Sequence, residues 1–403
     1  MIDKADPLRN EGIKALYLSF NVTYINPSRE DLRTVLEHSL DLKIHGPGYV
    51  SDQELERPIS KIVEENGPFD LVITDEYVTQ SFEGLDAEDI RFVNHACRFD
   101  PRLLSKAIEW REFLRGYDGI RVLTLMQSDY YNFSVKQIEV LEEVADYYIC
   151  WGKELMISKS EILDSDIPLE GVDADIFKTW NDNFLNFLNA NSDRIISCPH
   201  WVDAGNFGGD CLRLRKPFYS IVGANYNARE KAREVAAKHG IGLTGSTIRY
   251  SFALADKLNF NLHNKYWSVS LMRWLFLSAI RRARYGFTCG SIMKWPINKF
   301  FEIPANGAVL LCERPAGFDS LGFQDRINFL LCKAEDVADL YLYLEANPDT
   351  AQSIADAGKQ LVCDRHSDLA RVLQLRSAFT QIKLNVFRGS QWINGNFSLV
   401  NSV

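Results

Sequence analysis

The sequence predicts an α/β protein of two domains, and three observations lead to this class. The chain has 403 residues, which is more than one ordinary core holds and suits two domains of about 150–200 residues each. Apolar residues make up 46% and charged residues 25%, a balance typical of globular proteins. Short apolar runs alternate with segments of helical spacing, and this alternation is typical of strands connected by crossover helices.

The apolar runs show no clean alternation of polar and apolar residues, so we expect strands that are buried on both faces of a parallel sheet. The predicted strands are residues 15–20, 69–74, 121–126, 147–150, 195–198, 218–222, 285–289, 308–312 and 328–332. Helical spacing with charged outer positions characterises the segments between them. The predicted helices are residues 29–42, 52–65, 101–114, 135–145, 228–239, 336–345 and 349–362.

A glycine-rich stretch, Asp203-Ala-Gly-Asn-Phe-Gly-Gly-Asp210, marks the predicted domain boundary, because basic residues and a new strand follow it. We therefore expect an N-terminal domain over residues 1–205 and a C-terminal domain over residues 206–378. The polar tail, residues 379–403, either crosses back onto the first domain or frays.

Charge and cysteine content exclude several classes of protein. The net charge of −9 gives no general cationic field, so a nucleic-acid partner is not expected. Eight cysteines are scattered without a Cys-x-x-Cys pair, which is typical of buried thiols in a reducing compartment and not of a disulfide framework or a zinc site. The N-terminus has no signal-peptide apolar core, so we expect a cytoplasmic protein.

One apolar stretch, residues 266–280, raises the question of a membrane. It spans 15 residues and contains Arg273, whereas a membrane-spanning helix needs about 20 apolar residues. We therefore expect a buried helix. The alternative is peripheral association with the inner face of a membrane, because aromatic residues beside arginines suit a membrane interface.

The segment Asn298-Lys-Phe-Phe-Glu302-Ile-Pro-Ala-Asn-Gly307 carries the strongest chemical signal. A basic, amide-bearing loop leads into a short helix, a glycine turn and a buried strand. The free N–H groups of a helix start, with Asn298 and Lys299 beside them, can hold a diphosphate. Glu302, one turn into the helix, can accept two hydrogen bonds from the diol of a ribose. The same spacing also suits an ordinary helix–turn–strand in which Glu302 is a solvated surface charge.

A second cluster, Gly223-Ala-Asn-Tyr-Asn227-Ala-Arg229, directly follows the predicted strand 218–222. Ligands bind at the carboxyl ends of the strands in this kind of sheet. Gly223 permits a close backbone approach, and Arg229 can pair with phosphate oxygens in a fork. The alternative is a helix that is capped by Asn227, with Arg229 on its exposed face.

A third cluster, Arg281, Arg282 and Arg284, precedes the predicted strand 285–289. These side chains can neutralise a diphosphate leaving group without a metal, and Arg284 enters the predicted site for this reason. The alternative is a solvated helix C-terminus, where arginines suit the helix dipole. Asn264-Lys265 is a weaker candidate in the same region.

Candidate acid–base groups come from the first half of the chain. Asp129 ends a predicted strand and is our candidate general base for an acceptor hydroxyl, or else it caps the following helix. His200 ends another strand near the domain junction and suits either acid–base work or interdomain packing. The loop His45-Gly-Pro-Gly-Tyr49 and the pair Asp75-Glu76 could line the same cleft, or could form a turn and a cap.

Some expected motifs are absent from the sequence. There is no Gly-x-x-x-x-Gly-Lys, His-Glu-x-x-His, Gly-x-Ser-x-Gly or Gly-x-Gly-x-x-Gly at a suitable place. These absences argue against a P-loop NTPase, a zinc protease, a serine hydrolase and a nicotinamide dehydrogenase.

The stretch Lys299-Phe-Phe-Glu-Ile-Pro-Ala-Asn-Gly-Ala-Val-Leu-Leu311 resembles the donor-binding region of group 1 glycosyltransferases with the GT-B fold. It is most similar to the branch that includes the CgeB-like proteins, which reads Lys-x-Phe-Glu-x-Pro-Ala-x-Gly-Ala-x-Leu-Leu here. The resemblance is clear over about residues 217–375 and weak in the first half. Many group 1 members carry a second glutamate where this chain has Lys294, which either favours an acidic sugar or lies on the surface.

The resemblance implies two Rossmann-like domains whose parallel sheets face each other across a cleft. It implies that Glu302 binds the ribose of a nucleotide-sugar donor, that Lys299 lies near the diphosphate, and that no metal or other cofactor is required. We therefore expect a glycosyltransferase that moves a sugar onto a hydroxyl of a glycan or other acceptor. A nucleotide-sugar epimerase or hydrolase of the same fold and a non-catalytic relative are the alternatives.

Overall fold

The computed structural model describes most of the chain. The described residues are 12–21, 28–79, 102–126, 130–163, 169–223, 226–245, 248, 251, 254–255, 257–258 and 266–400. Asp129, Asn264 and Lys265 therefore lie outside the described residues.

The first half forms a six-stranded sheet in the order β2-β1-β3-β4-β5-β6, and neighbouring strands run parallel. Its strands are β1 (Lys14–Leu18), β2 (Asp41–His45), β3 (Leu71–Asp75), β4 (Ile120–Thr124), β5 (Tyr147–Cys150) and β6 (Ile195–Ser197).

Helices connect these strands. They are α1 (Ser28–Ser39), α2 (Asp52–Leu55), α3 (Ile59–Asn66), α4 (Arg102–Arg115), α5 (Val135–Val144), α6 (Lys159–Leu163), α7 (Gly171–Thr179) and α8 (Asn183–Ala190). Two predicted helices differ from the structure. The prediction over 29–42 runs into β2, and the prediction over 52–65 is divided because Pro58 stands at the start of α3, where a proline lacks the amide that a continuous helix needs.

The second half forms a five-stranded parallel sheet in the order β11-β10-β9-β7-β8. Its strands are β7 (Lys216–Ser220), β8 (Leu243–Thr244), β9 (Ala283–Thr288), β10 (Val309–Cys312) and β11 (Leu330–Leu331). Its helices are α9 (Asn227–Lys238), α10 (Tyr266–Arg282), α11 (Lys299–Ala305), α12 (Val337–Ala346) and α13 (Pro348–Arg365).

Strand β10 shows why the apolar runs are continuous. Val309 and Leu311 enter one hydrophobic core, whereas Leu310 and Cys312 enter the core on the opposite face of the sheet. Side chains of a strand alternate between its two faces, so a strand that is covered on both faces needs apolar residues throughout. Two parallel sheets with helical connections confirm the predicted fold class.

The chain returns to the first sheet at its end. Helix α14 (Asp368–Lys383) packs on α1, and Val202 forms a parallel bridge with Ser367. A hairpin of β12 (Ser390–Ile393) and β13 (Asn396–Leu399) follows. The Trp392 indole donates to the carbonyl of Ser197 over 3.1 Å. The predicted tail begins at residue 379. In the structure the chain returns to the first half earlier, at the start of α14.

None of the helices within the described ranges has both the length and the apolar character that crossing a membrane requires.

Candidate functional site

The candidate site lies at the carboxyl ends of the central strands of the second sheet. Gly223 follows β7, Cys289 follows β9, and α11 begins at Lys299. Ligands of open parallel sheets bind at this edge. The structure therefore brings together Gly223, Arg229 and Lys299, which the sequence analysis selected from separate segments.

Gly223 is the point where Lys299 touches the backbone. Its φ is +119°, which favours glycine. A Cβ atom at this position would lie 2.4 Å from Cε of Lys299 and 2.9 Å from Nη1 of Arg229. Both cationic side chains thus lie directly against this glycine, and no larger residue fits without moving them.

Arg229 is buried, with a relative exposure of 1%. Its Nη2 donates to Oγ1 of Thr288 over 2.9 Å and to the carbonyl of Cys289 over 3.1 Å. The guanidinium lies 5.0 Å from the ring centroid of Tyr226. The alternative of an exposed Arg229 is therefore wrong, because the side chain is buried and its hydrogen bonds hold it at the end of β9.

Lys299 is half-buried, and its ammonium group lies 5.0 Å from the ring centroid of Phe276. It forms no hydrogen bond or ion pair with any other residue that the structure describes. Burial lowers the pKa of Lys299 to about 8, and the positive charge of Arg229 contributes in the same direction. A lysine in this state is available to an anion, and binding an anion would raise its pKa again.

Glu302 lies one turn further along α11 and is half-buried. Burial raises the pKa of its carboxyl group, whereas the charges of Lys299 and Arg273 oppose this rise. Its carboxylate has no hydrogen bond to the described part of the chain. The charge of Asp31, a residue of the first half, also acts on this carboxyl group, so Glu302 lies where the two halves approach each other and not on a remote surface.

Two residues of the first half, Asp31 and His200, lie near these side chains. Nη2 of Arg273 lies 3.3 Å from Oδ1 of Asp31, so an ion pair joins α10 to α1. The His200 ring packs edge-on against Trp151 at a centroid distance of 5.2 Å. Burial lowers the pKa of His200 to about 3, and Arg371 and Lys299 add to this effect. A neutral imidazole with so low a pKa is a weak base, and at neutral pH it is not present as the imidazolium that acts as a general acid.

The start of α11 differs from the expected anion cradle. The amide of Phe300 donates to Ile297, and the amides of Phe301 and Glu302 donate to the carbonyl of Asn298. Asn298 stands at the N-cap position, but its side chain makes no capping hydrogen bond. Since these three amides are already engaged, we expect the side chains of Lys299 and Arg229 to supply most of the positive charge for a diphosphate.

Lys294 lies in the loop between β9 and α11. Its backbone is left-handed, with a φ of 48°. Its carbonyl accepts a 2.7 Å hydrogen bond from the amide of Ala316. Burial raises the pKa of the Glu313 carboxyl group, and the positive charge of Lys294 opposes this rise.

Arg284 requires a correction, because the structure does not bring it to the site. It lies at the amino end of β9, opposite to the edge where Lys299 lies. Its Nη1 pairs with Oε2 of Glu345 over 2.8 Å, and its Nε donates to the carbonyl of Leu212. Arg281 likewise has a structural partner, the side chain of Asn306.

The other candidates of the first half stay within their own sheet. His45 ends β2 and is buried. Asp75 ends β3, is also buried, and accepts a 2.9 Å hydrogen bond from Oγ of Ser19. Among the described residues, no group of three or more His, Cys, Asp or Glu side chains could hold a metal ion.

Sequence reasoning missed Asp31 and did not assign Arg273 to the site. The sequence does mark Arg273 as unusual, because it is a charged residue inside an apolar stretch. Asp31 had none, because it is one of several charged residues on a predicted helix and its partner is 242 positions away.

Residues 249–377 match the model of the family described as Glycosyl transferase-like. The match includes Arg273, Lys299 and Glu302, whereas Gly223 and Arg229 precede it. It confirms the predicted resemblance at the level of the family, and it does not distinguish the CgeB-like branch. A comparison with curated protein sequences gave no match.

Solved structures of similar shape include HepE of Anabaena in complex with UDP and glucose, at 10% identity and a TM-score of 0.45. They also include the sucrose-phosphate synthase of Thermosynechococcus elongatus, at 13% and 0.46, and the apo form of the lipopolysaccharide outer core galactosyltransferase WaaB, at 11% and 0.45. Each comparison covers 92% of this chain and 100% of the other. Similarity at this level assigns neither a ligand nor an activity to this chain.

Proposed function

We propose that this protein is a glycosyltransferase that moves a sugar from a nucleotide-sugar donor to a hydroxyl group of a carbohydrate or other acceptor. One observation carries the proposal. Lys299, Arg229 and Gly223 converge at the carboxyl edge of the second sheet beside Glu302, within a chain whose residues 249–377 match a glycosyltransferase-like family.

The donor's diphosphate would bind to Lys299, with Arg229 beneath it. Lys299 has no anionic partner among the residues that the structure describes, and it touches the backbone of Gly223, so an anion can approach both closely. A carboxylate accepts hydrogen bonds from two neighbouring hydroxyl groups. Glu302 would bind the ribose diol in this way, since its carboxylate has no hydrogen bond to the residues that the structure describes.

Sugar transfer leaves a nucleoside diphosphate, whose additional negative charge must be stabilised as the glycosidic bond breaks. Lys299 and Arg229 would supply this stabilisation through fixed positive charges, so the mechanism we propose needs no metal ion. Closure of the two halves over the donor would exclude the water that competes with the acceptor.

We infer that the acceptor enters from the side of the first sheet. A cavity of about 670 Å³ opens beside Asp31 and is also lined by Trp201, Asp203 and Asp368, a volume typical of small-molecule sites. Its carboxylates can accept hydrogen bonds from sugar hydroxyls. Asp129 remains our candidate general base, and the low pKa of His200 disfavours that residue for proton transfer.

The proposal is tested by measuring thermal stability with UDP, GDP, CMP, ADP and dTDP, because a ligand that binds the folded state raises its melting temperature. We expect one nucleotide to stabilise the protein and Glu302→Gln to weaken its binding at least tenfold. The matched control is Glu234→Gln, an exposed carboxylate on α9. Incubation of the corresponding nucleotide sugar with and without an acceptor then separates transfer from hydrolysis or epimerisation. Failure to bind any of these nucleotides would support the alternative of a non-catalytic relative.

A further inference from the structure

An aromatic stripe lies on the outer surface of α10. Trp267 is 58% exposed, Leu271 is 45% exposed and Trp274 is 59% exposed. Their spacing of four and three residues places them on one face of the helix, and Ser278 and Arg282 continue the same face. Large apolar side chains that form a continuous exposed patch mark an interaction surface.

A small cavity of about 240 Å³ adjoins the stripe and carries positive charge. Its lining combines Trp274, Phe218 and Leu275 with Lys216 and Arg282. The residues that line it include no Asp or Glu, and neither does α10 itself. Lys216 lies 5.5 Å from the ring centroid of Phe218. Both cations lack an ion-pair partner among the residues that the structure describes.

We propose that the stripe Trp267–Leu271–Trp274, together with Lys216 and Arg282, docks the protein on the surface of an anionic lipid bilayer. Tryptophan is enriched at the membrane–water boundary because its ring is apolar and its N–H is polar. The two cations would meet lipid phosphate groups while the indoles enter the boundary between headgroups and acyl chains.

Charge complementarity favours a bilayer over a second copy of this chain. A symmetric contact between two copies brings the same patch of each subunit together, and here that contact would bring the cations of one copy close to the cations of the other. The whole chain carries a net charge of −9, so a patch whose described lining residues include cations and no Asp or Glu stands out as a local binding surface for anions. The inference stands independently of the proposed nucleotide site, which lies at the carboxyl edge of the sheet.

The test is flotation of the full chain with vesicles of phosphatidylcholine alone and with vesicles that also contain phosphatidylglycerol. We expect binding to the anionic vesicles, weakened by high salt. The double variant Trp267→Ser/Trp274→Ser should lose at least tenfold in vesicle affinity, and Lys216→Glu/Arg282→Glu should lose the preference for anionic vesicles.

Two control variants match these changes elsewhere on the surface. Leu342→Ser/Leu373→Ser removes exposed apolar side chains from α12 and α14, and Lys231→Glu/Lys238→Glu reverses two exposed charges on α9. Both should bind vesicles like the parent protein.

The proposal is overturned if the parent does not float with anionic vesicles, or if the controls lose as much affinity as the stripe variants. It is also overturned if light scattering shows a dimer that the tryptophan variant dissociates and that does not bind vesicles. Nucleotide binding is measured separately and is expected to be the same in all four variants.

Discussion

Arg273 and Asp31 form an ion pair that joins the two halves of the chain, with Nη2 and Oδ1 separated by 3.3 Å. Arg273 belongs to α10 of the second half and Asp31 to α1 of the first. Burial opposes the charge of Arg273, but Asp31 and Glu302 more than offset it, so its pKa lies above the ordinary value. The pair thus fixes a positive charge beside the carboxylate that we assign to the ribose.

The first prediction concerns this pair. Partly exposed ion pairs contribute about 0.2–1 kcal/mol, so Asp31→Asn and Arg273→Gln should each lower the free energy of unfolding by about that amount. The double variant should cost less than the sum of the two single variants, because the second substitution removes a partner that is already lost. Urea unfolding of the four proteins measures this coupling. Strictly additive effects would mean that the two side chains do not interact in solution.

The second prediction concerns the protonation of Lys299. In the free protein its pKa is about 8, below the ordinary lysine value of 10.5. The contribution of Lys299 to nucleoside diphosphate affinity should therefore be constant below pH 8. It should fall above pH 8, because the ammonium group then loses its proton. Titrations of the stabilising nucleotide between pH 7 and pH 9.5 measure the profile.

Lys299→Met tests the same charge through stability. The unfolded chain keeps the lysine proton between pH 8 and 10.5 while the folded protein loses it, so the parent gains stability as the pH rises through this window. Below pH 8 the full cost of burying the charge is present. The variant should consequently be more stable at pH 7 by about 1–3 kcal/mol and should lose nucleotide binding. Lys238→Met, an exposed lysine on α9, should change neither property.

The third prediction compares two glycines with left-handed backbone. Gly223 has φ +119° and almost no room for a side chain, whereas Gly240 has φ +68° and nothing within 4 Å of an added Cβ atom. Gly240→Ala should cost about 1 kcal/mol of backbone strain and leave nucleotide affinity intact. Gly223→Ala should cost more and also displace Lys299, so affinity should fall at least tenfold. If the two substitutions have equal effects on nucleotide affinity, Gly223 is not part of the nucleotide site.

The sequence predicts a strand or helix well where the residues of that element alone determine its structure. The strand Tyr147–Cys150 was predicted with its observed bounds, because a strand that is buried on both faces has an unbroken apolar run. Strand Asp41–His45 was missed because it lies at the sheet edge and is half-buried, so its composition does not differ from that of a helix end. The hairpin after residue 389 was missed for a similar reason, since it is short and polar.

The site shows the same limit. Glu302 and Lys299 are selected through a local motif, and Gly223 and Arg229 through the rule that ligands bind at the carboxyl ends of strands. The same rule should have excluded Arg284, because a residue that precedes a parallel strand lies at its amino end. Asp31 could not be predicted, because its role depends on how two separate halves of the chain meet.

The last prediction concerns acid stability. His200 and His366 are both held near a pKa of about 3, first by burial and then by the charge of Arg371. His366 stacks on Trp392 at 4.9 Å, and its Nε2 lies 2.8 Å from the carbonyl of Leu321. Both rings are therefore expected to be neutral in the folded protein at neutral and mildly acidic pH.

Between pH 6.5 and 3 the unfolded chain binds protons at these two positions that the folded protein does not bind. Stability should therefore fall as the pH falls through this window, by about 1.4 kcal/mol per pH unit for each histidine. Urea unfolding of the parent and of His200→Gln at pH 7 and pH 5 measures the contribution, and the variant should lose less stability between the two values. His239→Gln, at an exposed position, should show the same loss as the parent. If His200→Gln also shows the same loss as the parent, the His200 ring takes up a proton within the fold and is not held neutral by burial.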